Sequence, residues 1–180
     1  MHGLARDVQG GFGGVSVPIC KDQLRTHVVR RTLQRLDLWS PVAENLLMGT
    51  AAQESHLGTY LAQLGGGPAL GIFQMEPATH QDIWDNFLRY KTYIRAGVLE
   101  GVPPTHREPS QSAAHASLLI HDLSYATAMA RIHYLRVSEA LPADPDDVEA
   151  LGTYWKNHYN THRGRGTVAE FVSNYAEFIE

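Results

Sequence analysis

From Asp22 onward Leu24, Val28, Val29, Leu33 and Leu36 recur at three- and four-residue spacing, with Arg25, Arg30, Arg31 and Arg35 between them. This pattern predicts an amphipathic helix whose arginines form a solvated face, with an anionic polymer or glycan as the alternative use of that face. Ser40-Pro41 opens a second helix, a side-chain cap followed by a proline that needs no N–H partner in the first turn. Its apolar stripe runs through Ala43, Leu47, Thr50 and Ala51 and ends on Glu54. Residues 77–96, with Ile83, Trp84, Phe87, Leu88 and Ile94, predict a helix that stops at Gly97, and 98–109, with Pro103, Pro104 and Pro109, a surface loop. The run 110–139 carries Leu118, Tyr125, Met129, Ile132 and Leu135 and reads as two helices broken near His121-Asp122. Leu141 to Pro145 closes it, and Asp146, Asp147 and Glu149 suit the start of the next helix. Thr167 and Glu170 make a capping box for a last helix that docks Val168, Phe171, Val172, Tyr175 and Phe178. Strand-like alternation is confined to residues 15–19, so a mainly α domain is expected.

Composition narrows the classes. A chain of 180 residues fits one domain. The glycine run Gly10 to Gly14 assigns residues 1–21 to a flexible arm and 22–180 to the folded domain. A formal charge of -4 provides no footprint for a polyanion, which argues against a nucleic-acid partner. Cys20 is alone, so no internal disulfide is expected. The ten histidines are scattered and form no His-Glu-x-x-His pattern; His158 and His162 stand four apart where Gly164 and Gly166 end the helix. Neither a metal nor a cofactor is expected. The first fourteen residues lack a continuous apolar run, so neither a signal peptide nor a membrane span is expected there, and synthesis in the cytoplasm is.

The candidate chemistry lies in residues 40–79. A carboxylate at the end of a buried stripe loses hydration, which favours its neutral form and suits a general acid working near neutrality. Glu54 holds that place, followed by Ser55, the helix-breaking Leu64-Gly65-Gly66-Gly67-Pro68, and the cluster Gly71-Ile72-Phe73-Gln74-Met75-Glu76-Pro77-Ala78-Thr79. This order resembles the lysozyme-like superfamily, and within it the soluble lytic transglycosylase group, which pairs a Glu-Ser at a helix end with a downstream Gly-Leu-Met-Gln-(Ile/Val)-Met-Pro-x-Thr. The segment from Asp122 to Tyr134-Leu135 is also similar to a family segment, and the likeness spans residues 40–163. The family's Ala-Leu-Ala-Ala-Tyr-Asn-Ala-Gly is matched in part by Ala150-Leu151-Gly152-Thr153-Tyr154-Trp155, with tryptophan in place of asparagine, while Tyr159-Asn160 repeats the dipeptide one turn later.

The resemblance implies a lysozyme-like single domain of about seven helices with a cleft, acting on peptidoglycan glycan strands. It implies cleavage of the β-1,4 bond between N-acetylmuramic acid and N-acetylglucosamine, with Glu54 as acid and then as base for the sugar's own 6-hydroxyl. Ser55 and Gln74 are then expected to orient the glycan, Met75 to line the sugar site with its backbone, Tyr154 to hold the Glu54 carboxyl, and Asn160 to meet the glycan. Glu76, where the family usually has methionine, leaves open a second carboxylate, and with Asp82 and Asp85 a hydrolytic lysozyme-type route. A non-catalytic glycan-binding or virion module is a further alternative. The compact form, without wall-binding repeats, looks like a phage muralytic protein. It is expected to be a monomer or a component of a phage particle, to insert in no membrane, and to reach the wall in the periplasm through holin release or virion delivery.

Overall fold

The computed structural model describes residues 17–104, 107, 112–160 and 164–180. The glycine run 10–14, residues 15–16 of the strand-like stretch, residues 105–106 and 108–109 of the proline loop, and His162 and Arg163 lie outside them, while 17–19 form no strand. Among the described residues the chain is mainly helical, with eight helices and no strand. Helix α1 is continuous but irregular, built from Lys21–Gln23, a π-helical run Leu24–Val29 and Arg30–Arg35. The others are α2 (Pro41–Ser55), α3 (Pro77–Asn86), α4 (Thr92–Glu100), α5 (Ser112–His121), α6 (Leu123–Leu135), α7 (Val148–Trp155) and α8 (Val168–Phe178). Helix α7 continues as a π-helical turn, Lys156–Asn160.

One helix more than expected arises because the stretch foreseen as 77–96 divides. Phe87 leaves the helical region, Leu88–Tyr90 forms a 3-10 turn, and α4 restarts at Thr92. The break at 121–122 is present as expected, with Asp122 accepting a hydrogen bond from the Tyr125 N–H at 2.9 Å. Ser40 accepts from the Ala43 N–H at 3.1 Å, and Thr167 and Glu170 form the full capping box.

Helix α2 is the axis of the molecule. Buried residues occur all round it, Leu46, Leu47, Met48, Ala51 and Ala52 among them, because α1, α6, α7 and α8 pack against it. A helix enclosed in this way needs no single apolar face. Close approach to α8 depends on Gly49, where a Cβ would stand 2.4 Å from the Phe171 ring. A second apolar cluster, with Met75, Ile83, Leu118, Met129 and Ile132, gathers α3, α5 and the other side of α6. Segment 56–76 joins the two clusters, and the site lies over it.

The arginines of α1 are not simply a solvated face. Arg25 and Arg30 turn toward α2 and hold the buried Glu44, Arg30 through two hydrogen bonds of 2.8 Å and Arg25 through one of 3.0 Å. The Trp39 indole adds a fourth at 2.7 Å. Spacing alone could not show this, because a guanidinium on a long stem can fold back from the flank of its own helix.

Candidate functional site

Helix α2 ends abruptly after Ser55. His56, Leu57 and Gly58 take positive φ of 48°, 52° and 79°, so three successive residues lie in the left-handed region. For the two residues bearing a Cβ this costs on the order of 1–3 kcal/mol each and persists only when the surroundings fix it. They do: Leu57 is buried and its carbonyl accepts from the Ile19 N–H at 2.9 Å, while the His56 ring stacks on Phe178 at 4.9 Å. The turn stops the helix with Glu54 in its final turn and sends the chain back across it.

Ser55 ties the two halves of the motif together. Fully buried, it donates to the Ile72 carbonyl at 2.6 Å and accepts from the Gly58 N–H at 2.9 Å. The expectation that it orients a glycan is therefore corrected: its hydroxyl is spent inside the protein, bracing the loop. Gly71 has φ of 75°, and a Cβ there would stand 1.9 Å from the Leu119 carbonyl oxygen, so the loop admits only glycine at this point. Gln74, with φ of 44°, directs both its backbone N–H and its side-chain amide to the Gly71 carbonyl, at 3.1 and 2.8 Å. Met75 is buried, and its N–H and C=O pair with Leu70, both at 3.0 Å. Its backbone is thus occupied, and Met75 contributes shape to the cleft rather than free hydrogen-bonding groups.

These pieces surround a cleft of about 800 Å³, lined by Gln53, Glu54, Tyr60, Gln63, Gln74, Met75, Glu76, Thr79, His133, Tyr159, Asn160 and Arg165, among others. Glu54, Gln74, Met75, Glu76 and Asn160 come together as the sequence implied; Ser55 and Tyr154 are not among the lining residues. Four side-chain amides, from Gln53, Gln63, Gln74 and Asn160, line the same hollow, each with one end held by the protein: the oxygens of Gln53, Gln63 and Asn160 accept from Asn174, the Ala69 N–H and Lys156, and the Gln74 nitrogen donates to the Gly71 carbonyl. The opposite ends, three amide nitrogens that donate and the Gln74 oxygen that accepts, suit hydroxyl- and acetamido-bearing ligands.

Glu54 receives one hydrogen bond among the described residues, from the Trp155 indole N–H to Oε1 at 2.9 Å. Dense packing outweighs that bond: burial pushes the carboxyl up to about 7, and Trp155 lowers it in part. The expected neighbour Tyr154 is a correction. Its hydroxyl donates to the Glu139 carbonyl at 2.9 Å, on another side of α7. Helix register explains the exchange, since Leu151, Trp155 and Tyr159 follow at four-residue intervals and share the face turned to α2. Tyr159 donates to the Phe73 carbonyl at 2.9 Å, pinning the loop from the opposite side to Ser55. Burial, then the charge of Glu54, raises the phenols of Tyr60 and Tyr159, so both stay neutral near it.

His133 also lines the cleft, yet it is no base. Its Nε2 faces the His158 carbonyl at 3.0 Å and its Nδ1 faces the Arg136 guanidinium at 3.0 Å, so the hydrogen sits on Nε2. Burial, then the Arg136 charge, holds its pKa down at about 4. Of the other carboxylates weighed from sequence, Asp82 is exposed and engaged by Arg136 and Asn86, and Asp85 accepts from Gln81 at 2.8 Å. Neither lines the cleft, whereas the exposed Glu76 does, at its rim. No group of three or more His, Cys, Asp or Glu able to hold a metal ion occurs among the described residues.

Trp155, Tyr60 and Tyr159 were not assigned from sequence. The four-residue interval from Leu151 would have found Trp155 and Tyr159; Tyr60 stands in an irregular segment and carries no such signal. No family model, no curated protein and no solved structure matches this chain.

Proposed function

We propose that this protein cleaves peptidoglycan glycan strands at the β-1,4 bond between N-acetylmuramic acid and N-acetylglucosamine, by the lytic transglycosylase route. The observation that carries the reading is the Glu54 carboxyl, held by a single indole N–H on the wall of an amide- and phenol-lined cleft whose charged members are Glu76 and Arg165, with burial pushing its pKa up to about 7. Protonated Glu54 gives its hydrogen to the glycosidic oxygen as the C1–O bond breaks. The carboxylate left behind faces the oxocarbenium-like sugar, then takes the proton of that sugar's 6-hydroxyl as its oxygen closes on C1, leaving a 1,6-anhydro end. One group serves in both directions because its pKa lies near the working pH.

Glu76 supports a second reading, since a carboxylate at the cleft rim can direct a water to C1 and make the reaction a hydrolysis. Its exposure to solvent favours the first. A binding module that has lost the chemistry would retain the cleft without turnover. Mass spectrometry of digested peptidoglycan separates all three. The expected products carry 1,6-anhydro ends; reducing ends throughout would favour the hydrolase, and undigested sacculi with protein bound to them would favour the module. The reading includes an enzyme that reaches the wall through membrane holes or from a virion, consistent with the finding that no described helix is long and apolar enough to cross a membrane.

A further inference from the structure

The Trp155 ring is fully buried, stacked at a tilt on Phe171 with centroids 5.5 Å apart, and its N–H reaches Glu54 Oε1 at 2.9 Å. The other carboxyl oxygen, Oε2, takes no hydrogen bond from the described residues and does not figure among the buried polar atoms left without a partner, which leaves it open to the cleft that Glu54 lines. An indole N–H can only donate. In a neutral carboxyl group the carbonyl oxygen is the better acceptor and the hydroxyl oxygen carries the hydrogen, so a fixed donor at Oε1 selects the form protonated on Oε2.

We propose that Trp155 is a positioning residue that fixes the transferable hydrogen of Glu54 on Oε2, the oxygen facing the cleft. The inference rests on Glu54 being the acid of the proposed reaction. During the first step the Oε2 hydrogen passes to the glycosidic oxygen, the C1–O bond breaks, and the indole keeps its own hydrogen. Its bond to Oε1 becomes charge-assisted as the carboxylate forms, so the donor stabilises the product of proton transfer more than the starting acid. In the second step Oε2 regains a proton from the 6-hydroxyl. The family pattern places asparagine at this position of the motif, and a tryptophan there adds a rigid donor whose direction is set by core packing.

The test begins on the protein alone. With indole nitrogens labelled, the Trp155 N–H resonance of the full chain is expected to shift with pH along a single curve centred near Glu54's ionisation, and to stay still in Glu54→Gln. Replacing Trp155 with 3-benzothienylalanine, a ring of the same shape without the N–H, keeps the packing where Trp155→Phe risks the fold. The Glu54 carboxyl carbon is then expected to titrate about one pH unit higher, the size of a hydrogen bond to a charged group. The alkaline limb of kcat/KM on peptidoglycan is expected to move by the same amount. An indole signal that ignores pH, or a midpoint unmoved by the benzothienyl ring, overturns the proposal and leaves Trp155 a packing residue. A titrating indole in a protein that digests no glycan upholds the placement of the hydrogen and overturns the glycosidase reading instead.

Discussion

Glu44 and Glu54 stand three turns apart on one helix, about 15 Å along its axis, and both have been drawn into the protein. Their surroundings differ in one respect. Around Glu44 burial alone favours the neutral acid, but hydrogen bonds from Arg30, Trp39 and Arg25 outweigh it and hold the carboxyl below the usual range. Around Glu54 burial meets a single indole N–H and prevails, so the carboxyl rises to about 7. The first group is a permanent anion that binds α1 to α2. The second gains and loses a proton near neutrality beside a hollow. The same residue type becomes a fixed anion or a titrating acid according to whether cations accompany it out of water.

The largest expected effect separates the two by turnover. Glu54→Gln keeps the shape and one acceptor for Trp155 but has no proton to transfer, so glycan cleavage should fall on the order of 10²–10⁴-fold, the contribution of a general acid. Glu44→Gln should leave the rate per folded molecule within about twofold. Turbidity loss of purified peptidoglycan, corrected for folded fraction, measures both; equal losses in the two variants would end the distinction.

Stability should reverse the order. Glu44→Ala removes the acceptor of four hydrogen bonds and should cost about 3 kcal/mol in urea unfolding at pH 7, the low end for breaking a buried pair because Arg30 can turn to solvent. An unfolding midpoint unchanged by this substitution would mean that the brace contributes nothing.

Next comes pH. Below 4.5 Glu54 is protonated in both states; between 4.5 and about 7 only the folded state holds the proton, so its contribution is lost as pH rises through that window. At about 1.4 kcal/mol per tenfold change in proton affinity, with allowance for cleft water, wild type should lose about 2 kcal/mol there relative to Glu54→Gln. Glu44, with a lowered pKa, runs the other way: its contribution is present above the unfolded carboxylate pKa and disappears as pH falls below it. Unfolding free energies of wild type and Glu54→Gln that stay parallel across pH 4.5–7 would contradict the raised pKa.

How far the sequence disclosed these two environments depended on the range of the forces involved. Helix ends at Ser40, Asp122 and Thr167 were legible because a cap is a contract between residues three apart. That Glu54 and Gln74 line one cleft was legible through the resemblance in the order of residues around a glycine loop. The role of Ser55 is not legible in sequence, because a hydroxyl serves ligand and backbone equally well and only the fold shows which is nearer. The motif points to Tyr154 by its order along the chain, whereas the four-residue interval Leu151, Trp155, Tyr159 marks the face that meets α2. The Glu44 brace was invisible, since the arginines that charge it belong to another helix and sat in a pattern that solvent explains equally well.

The smallest effect tests whether the shared helix transmits anything between the two glutamates. Ser40 caps α2 one turn before Glu44 and some 20 Å from Glu54. Ser40→Ala should cost about 1 kcal/mol, as loss of a cap does. Because α2 is packed on every side, that cost should appear as global stability alone. Cleavage rate and the ionisation of Glu54, followed through its carboxyl carbon, should stay where they are. A Glu54 midpoint displaced by the missing cap would mean that the first turn's order is felt at the last, and that the two glutamates belong to one coupled device.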